Sequence, residues 1–307
     1  VANGVINQKI LVVGSANVDL VFRTAKLPRT GETVLGDSFS THPGGKGANQ
    51  AVAIGRLGAT VDFVGCVGSD AFGTSIDSSL TSAHVGIKHL AKVDDVSTGT
   101  AGIYVDDQGR NMIVVAAGAN CRITADQVRV AIEEVSPAIV LTQLETPEPA
   151  VLAAAQCRRF VLNPAPVRDI PDEVLRRCYL ITPNETELEA LTGIPASDID
   201  SCRAGCRKLL ERGAENVIVT LGERGCYWQS ATNGGHFPAP HVDPIDTTAA
   251  GDVFNGALVR CLAKEMPFEE SIQFANVAAA ISTTRHGAQE SAPDLETVTT
   301  FLAQSTK

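Results

Sequence analysis

The 307-residue sequence predicts an α/β protein: a mainly parallel central sheet with helices on both faces, plus a small separate β-sheet. Three observations carry this. Lys9–Gly14 (KILVVG) is a short, continuous apolar run ending in glycine, the pattern of a strand buried on both faces. From Thr124 onward, helical segments and short apolar β segments alternate, the rhythm of βα units. Two β-rich stretches, about 20–42 and 97–120, interrupt that rhythm and form the candidate lid.

Bulk properties agree with a globular chain. It is 44% hydrophobic, 20% charged and only 5% aromatic, a composition suited to close helix-on-sheet packing. Length favours one large domain with a small appendage, read as 9–303 with the lid inserted, or two domains; residues 1–8 read as a floppy or tag-derived lead. With 25 basic and 35 acidic residues the net charge is −10, which argues against nucleic acid or an anionic membrane as partner. A small phosphate ligand stays open, because loop amides and a metal ion hold phosphate without a basic patch. The eight cysteines form no CxxC pair, and Cys202 and Cys206 lie one helical turn apart as small apolar side chains. Free thiols, and an apolar run at 10–13 too short for a signal or a span, point to the cytoplasm.

In chain order, Asn17 and Asp19 follow the first strand directly, at the strand end where open α/β sheets bind ligands; they suit either neighbouring hydroxyls of a polyol or local turn capping. Residues 20–40 contain Pro28 and Gly31 and no good helix, so short strands outside the main sheet are expected. Gly44-Gly45-Lys46-Gly47 then opens a helix over 51–57. This is not a Walker A loop, since Gly47 follows Lys46, and it is half a dinucleotide fingerprint, with Gln50 at the third glycine position. A strand at 60–67, a helix at 72–83 and a hairpin pairing 100–105 with 112–116 come next. Helices are expected at 124–135, 147–157, 172–177, 185–192 and 201–212, and strands at 138–144, 159–163, 178–182 and 216–221. Polar residues at the strand ends (Gln143, Glu145, Asn163, Asn184, Glu187, Thr220, Gly222) mark a candidate rim, though each alone also reads as a loop cap. Helices at 252–264, 268–285 and 294–303 finish the chain, with a polar break at 282–291 around Gly287.

The chemistry concentrates at Asp246–Ala257. Small residues ahead of a helix let backbone amides and the positive helix end face an anion, and Asp252 stands where a carboxylate can take a proton from an attacking nucleophile. An ordinary capped helix fits the same residues.

Several motifs together resemble the ribokinase-type carbohydrate kinases: GSANVD at 14–19, GGKGANQA at 44–51, QLETP at 143–147, LNPAP at 162–166, ITPNETE at 181–187, VTLGERG at 219–225, DTTAAGDVFNGAL at 246–258 and NVAAAIS at 276–282. They span nearly the whole chain in the family's order. The resemblance implies a three-layer α/β sandwich with a β-sheet lid that serves as a homodimer interface. It also implies phosphorylation of a pentose primary hydroxyl by ATP, with D-ribose as sugar, Mg2+ as cofactor and K+ as activator. It makes Asp252 the general base and Ala249, Ala250 and Gly251, with Asp252, the anion hole. Asn17, Asp19, Gly45, Lys46, Asn49 and Glu145 match the sugar-binding set. Asn184, Thr220, Gly222, Gly225, Gly251 and Asn276 match the ATP site, and Glu187 the Mg2+ position, acting through water. Asp246, Thr248, Ser282, Arg285, Gly287 and Ser291 match the K+ site, mostly through main-chain carbonyls. Val253 stands where the family often has threonine. A 2-deoxyribose kinase and a non-catalytic sugar or nucleotide sensor are the rival expectations.

Overall fold

Every side chain of β1 (Ile10–Val13) is buried. Ile10 and Val12 join one apolar core while Leu11 and Val13 join another. A strand with a helical layer on each side has no solvent face, which is why this run shows no polar alternation. The computed structural model describes residues 8–305, so the expected lead falls, apart from Gln8, outside the described residues.

β1 pairs in parallel with β4 (Val61–Gly68) and β8 (Ile139–Thr142). β5 (Val85–Val93) extends the sheet beyond β4, and β9 (Phe160–Leu162), β10 (Cys178–Ile181) and β11 (Asn216–Thr220) extend it beyond β8, all in parallel. β12 (Cys226–Ser230) and β13 (Gly234–Phe237) close that edge as an antiparallel ribbon. Among the described residues the sheet therefore has nine strands, ordered β13-β12-β11-β10-β9-β8-β1-β4-β5. One face carries α1 (Lys46–Arg56), α2 (Ala71–Ser82), α8 (Ala250–Ala263), α9 (Phe268–Thr283) and α10 (Leu295–Ser305). The other carries α3 (Ala125–Val135), α4 (Glu148–Ala154), α5 (Asp172–Leu175), α6 (Glu185–Thr192) and α7 (Ile199–Glu211). Cys202 and Cys206 are buried in that second core, as small apolar side chains.

A smaller sheet stands apart, ordered β3-β2-β6-β7 from β2 (Asn17–Thr24), β3 (Ser38–Gly44), β6 (Gly99–Asp106) and β7 (Asn111–Ala116). Its limits differ from the expected 20–42. Asn17 and Asp19 are not in a loop at the end of β1; they open β2, paired with Gly44 and His42 of β3 and with Gly99 and Ala101 of β6. The chain turns from the main sheet into the second sheet within Gly14–Ala16, so ladder hydrogen bonds hold these two side chains. β5, β12 and β13 lie outside the sequence expectation. β5 is a half-exposed edge carrying Lys88, His89 and Lys92, and edge strands lose the continuous apolar signature of central ones. Among the described residues no helix is long and apolar enough to cross a membrane.

Candidate active site

Nothing caps α8 in the usual way. Its N-cap, Ala249, is left-handed (φ 58°) and makes no side-chain hydrogen bond. A non-glycine residue held there costs about 1–3 kcal/mol, a strain that clusters at functional sites. The ordinary capped-helix reading therefore fails. The Ala250 N–H closes a turn on Thr247 O (3.3 Å), so that member of the expected anion hole is spent locally. The N–H groups of Gly251 and Asp252 find no acceptor among the described residues, and Gly251 is exposed. Two free amides at a positive helix end are a place for an anion.

Asp252 is only 7% exposed. Asn49 Nδ2 donates to its Oδ2 (3.0 Å) and Gln50 Nε2 to its Oδ1 (2.9 Å), both from α1. Burial drives its pKa up; Lys46 and the two amides oppose this, Glu145 adds to it, and the carboxyl stays above its ordinary range. Burial pulls Lys46 down, but Asp252, Glu145 and Glu187 outweigh burial and hold it a firm cation. Lys46 begins α1 because Gly45 precedes it at φ 88°, where a β-carbon would lie 2.7 Å from Asn17 N; only glycine fits.

The expected sugar set comes together here. Glu145 accepts from the Lys46 N–H (3.3 Å) and from the Ser15 hydroxyl. Burial, then Glu145, Asp252 and Glu290, push Asp19 up to about 6 against the pull of His42. Asn49 Oδ1 is buried without a partner among the described residues, an acceptor left for a ligand hydroxyl. Asn17 is buried, and its Oδ1 accepts from Asn120 Nδ2 (2.7 Å), while Asn120 Oδ1 accepts from Ala16 N (2.9 Å). Asn120 was outside the sequence reading, because no local pattern ties it to a residue 103 positions away.

On the expected nucleotide side, Asn184 and Thr220 form an isolated bridge that joins two distant motifs. Asn184 and Glu187 form a reciprocal capping box on α6: Asn184 Oδ1 accepts from Glu187 N (2.8 Å) and Glu187 Oε2 from Asn184 N (2.9 Å). The N-x-x-E spacing is thus also a helix start. One Glu187 oxygen is committed to the cap and the other is left over; burial raises this carboxyl, against the pull of the Asn184 amide and of Lys46. That leftover oxygen fits a hydrated Mg2+, which keeps most of its waters. Gly222 (φ 58°) and Gly225 (φ 85°) flank a single 3-10 turn after β11. Asn276 is buried and its Nδ2 donates to Phe237 O (3.0 Å), so this amide braces the β13 edge.

The expected K+ residues also converge. Asp246 Oδ1 accepts from Thr248 N (2.9 Å) and Oδ2 from Gly287 N (3.0 Å), clamping two loops together. Burial opposes the Asp246 charge, but these hydrogen bonds win and lower its pKa. Ser282 and Ser291 donate their hydroxyls to Ala279 O and Ala288 O, so main-chain carbonyls are the donors left for a cation; oxygen-only donors fit K+. Arg285 is exposed.

Comparison with known proteins places the chain in a family. Residues 7–295 match the pfkB family carbohydrate kinase model. A ribokinase of Haemophilus influenzae is 40% identical over 299 residues, covering 95% of this chain and 98% of that protein. A deoxyribokinase of Salmonella typhi is 35% identical, covering 96% and 98%. The structure of Arabidopsis thaliana ribokinase complexed with ribose and ATP superposes with a TM-score of 0.90 at 30% identity, covering 97% of this chain and 99% of the other. A matched model over nearly the whole length, relatives that align end to end and the same two-sheet architecture lead to one conclusion: the chain belongs to the pfkB family of carbohydrate kinases.

Proposed function

We infer that the chain transfers the γ-phosphoryl group of ATP to the 5-hydroxyl of D-ribose, giving ribose 5-phosphate and ADP. The observation that carries this is the buried Asp252 carboxylate beside two unpartnered helix amides, facing acceptors of the kind a polyol needs. Asp252, with its raised pKa, is a stronger base than an ordinary carboxylate. As the sugar oxygen bonds to the γ-phosphorus, its proton passes to Asp252; the bond from phosphorus to the β,γ-bridging oxygen breaks, and ADP departs with that electron pair. The amides of Gly251 and Asp252 steady the charge on the transferring oxygens, assisted by Lys46. Asn17, Asp19, Asn49 and Glu145 orient the sugar, Gly45 lets the backbone approach it, and the second sheet closes over it as a lid that excludes water.

Asn184, Thr220, Gly222, Gly225 and Asn276 border the ATP in this reading. Glu187 would hold Mg2+ through water, where the ion supplies positive charge to the phosphates. The carbonyls around Asp246, Thr248, Ser282, Arg285, Gly287 and Ser291 would hold K+, which keeps the loop ahead of α8 in shape. A second reading, 2-deoxyribose as the sugar, is favoured by the Salmonella typhi relative.

An ADP-release assay tests all of this. Ribose should exceed 2-deoxyribose in kcat/KM, and K+ should exceed Na+ in rate. Asp252→Asn should lower kcat by about 10²–10⁴-fold while KM stays near the parent value. Near-normal kcat in that variant removes the base assignment, and no turnover of ribose removes the substrate.

A further inference from the structure

Beneath the reacting face lies a run of buried polar side chains that the chemistry above does not use. Gln50 Nε2 donates both to Asp252 Oδ1 (2.9 Å) and to Asn163 Oδ1 (3.0 Å). Gln50 Oε1 accepts from Gln143 Nε2 (2.6 Å), and Asn163 Nδ2 donates to the main-chain oxygen of Thr182 (3.1 Å). Gln50, Gln143, Asn163 and Thr182 are all buried.

A primary amide can present either end to a neighbour, and the choice matters beside a carboxylate. Its NH2 stabilises the anion, whereas its carbonyl repels it. Here a group that cannot turn over makes the choice. The Thr182 carbonyl only accepts, so Asn163 must offer it Nδ2 and turn Oδ1 toward Gln50. Gln50 must answer with Nε2, and that same NH2 reaches Asp252. Gln143 donates to the opposite end of Gln50, in keeping with that orientation. A second branch starts from the same residue: Thr182 Oγ1 donates to Asn255 Oδ1 (2.6 Å), and Asn255 Nδ2 donates to Gly251 O (2.8 Å). Thr182 therefore serves both branches: its main-chain oxygen fixes the first, while on the second the Gly251 carbonyl, which only accepts, fixes the Asn255 amide and leaves its Oδ1 to the Thr182 hydroxyl.

We propose that Gln50, oriented through Asn163 by the Thr182 carbonyl, is a positioning residue that keeps the Asp252 carboxylate ionised and aimed, while the Thr182–Asn255 branch holds the Gly251 turn in register with it. The proposal rests on Asp252 being the base. The charged groups facing Asp252 are Lys46 at the start of α1, Glu145 after β8, Asp19 on β2 and Glu187 on α6. One cation stands against three carboxylates and burial, and after Lys46 the donors Asn49 and Gln50 are what favour the Asp252 anion.

The test is the kcat–pH profile at saturating sugar and ATP. Gln50→Leu should move the acidic limb up by about one pH unit and lower the plateau, because a donor to a charged group is lost. Gln50→Glu keeps the shape but replaces the donor with a second carboxyl, and should move the limb further in the same direction; it carries the test if Gln50→Leu does not melt cooperatively. KM for both substrates should stay near the parent value. A purely packing role would lower stability and leave the limb in place, so an unmoved limb in a folded Gln50 variant overturns the proposal. Asp252→Asn, run in parallel, separates the two readings. Near-normal kcat there rejects the base, whereas lost kcat there with an unmoved Gln50 limb rejects the positioning role alone.

Discussion

Asp19 shows what the site costs the fold. Its folded pKa is about 6 against 3.8 for the free group, chiefly through burial. The native state therefore binds the proton more tightly than the unfolded chain does. Asp19's favourable contribution is full below pH 3.8 and is lost as pH rises through about 6. At neutral pH the ionised, buried carboxylate costs roughly 3 kcal/mol. Asp19→Asn should accordingly raise the unfolding free energy by roughly 1–3 kcal/mol at pH 7.5, with the difference vanishing near pH 4, while KM for the sugar rises. Urea titrations at the two pH values check this; equal midpoints at pH 7.5 would show that the carboxylate is not strained in place. A carboxylate that costs stability at neutral pH and sits among Glu145, Asp252 and Glu290 is what the proposed sugar-binding role of Asp19 calls for.

Among the elements, α1 decides the site's precision. Its first turns carry Lys46, Asn49 and Gln50, so any displacement of this helix moves the cation and both donors to Asp252 together. The helix seats directly on the β1–β2 junction, where Ala48 N donates to Ser15 O (2.9 Å). A β-carbon on Gly47 would stand 2.5 Å from Gly14 Cα and 2.7 Å from Ser15 N, closer than any real contact. Gly47→Val should therefore cost about 1–3 kcal/mol or more and reduce kcat along with stability. A denaturant midpoint and kcat both at parent values would mean that the helix shifts without consequence. By contrast α6 is self-sufficient at its start, since its capping box holds Asn184 and Glu187 before any ligand arrives.

At the scale of the whole molecule, the second sheet is the unfinished part. β7 is exposed along its entire length, with Met112 50%, Ile113 53%, Val114 67% and Val115 53% accessible. Phe39 and Tyr104 flank Phe22 at ring distances of 4.8 and 5.3 Å and are themselves exposed. Apolar surface of this kind fits an interaction face, and we propose a second copy of the chain as its occupant, as the resemblance implies. Light scattering should report a dimer. Ile113→Asp with Val114→Asp, one on each face of β7, should yield monomers with a raised sugar KM and an unchanged melting transition of the main body. A parent protein that is monomeric throughout the micromolar range would refute this.

The local signals in the sequence determined much of the main body. The continuous apolar runs of β1, β8 and β9, the helical periods between them and the small residues ahead of Asp252 are short-range patterns set by burial and backbone freedom. The motif set in family order reached further: Asp19, Lys46, Asn49, Glu145 and Glu187, all of which lie near Asp252, are among the residues it singled out, whereas Gln50 is not. Tertiary structure alone decided that Asn17 and Asp19 open a strand of the second sheet, that β5, β12 and β13 complete the main one, and that Ala250's amide is spent on Thr247. It alone disclosed the polar chain under the base. The physical reason is range: hydrophobic patterning repeats every two to four residues, but the hydrogen bond from Gln50 to Asp252 joins side chains 202 positions apart. No local period encodes such a bond; it exists only once α1 and α8 pack side by side.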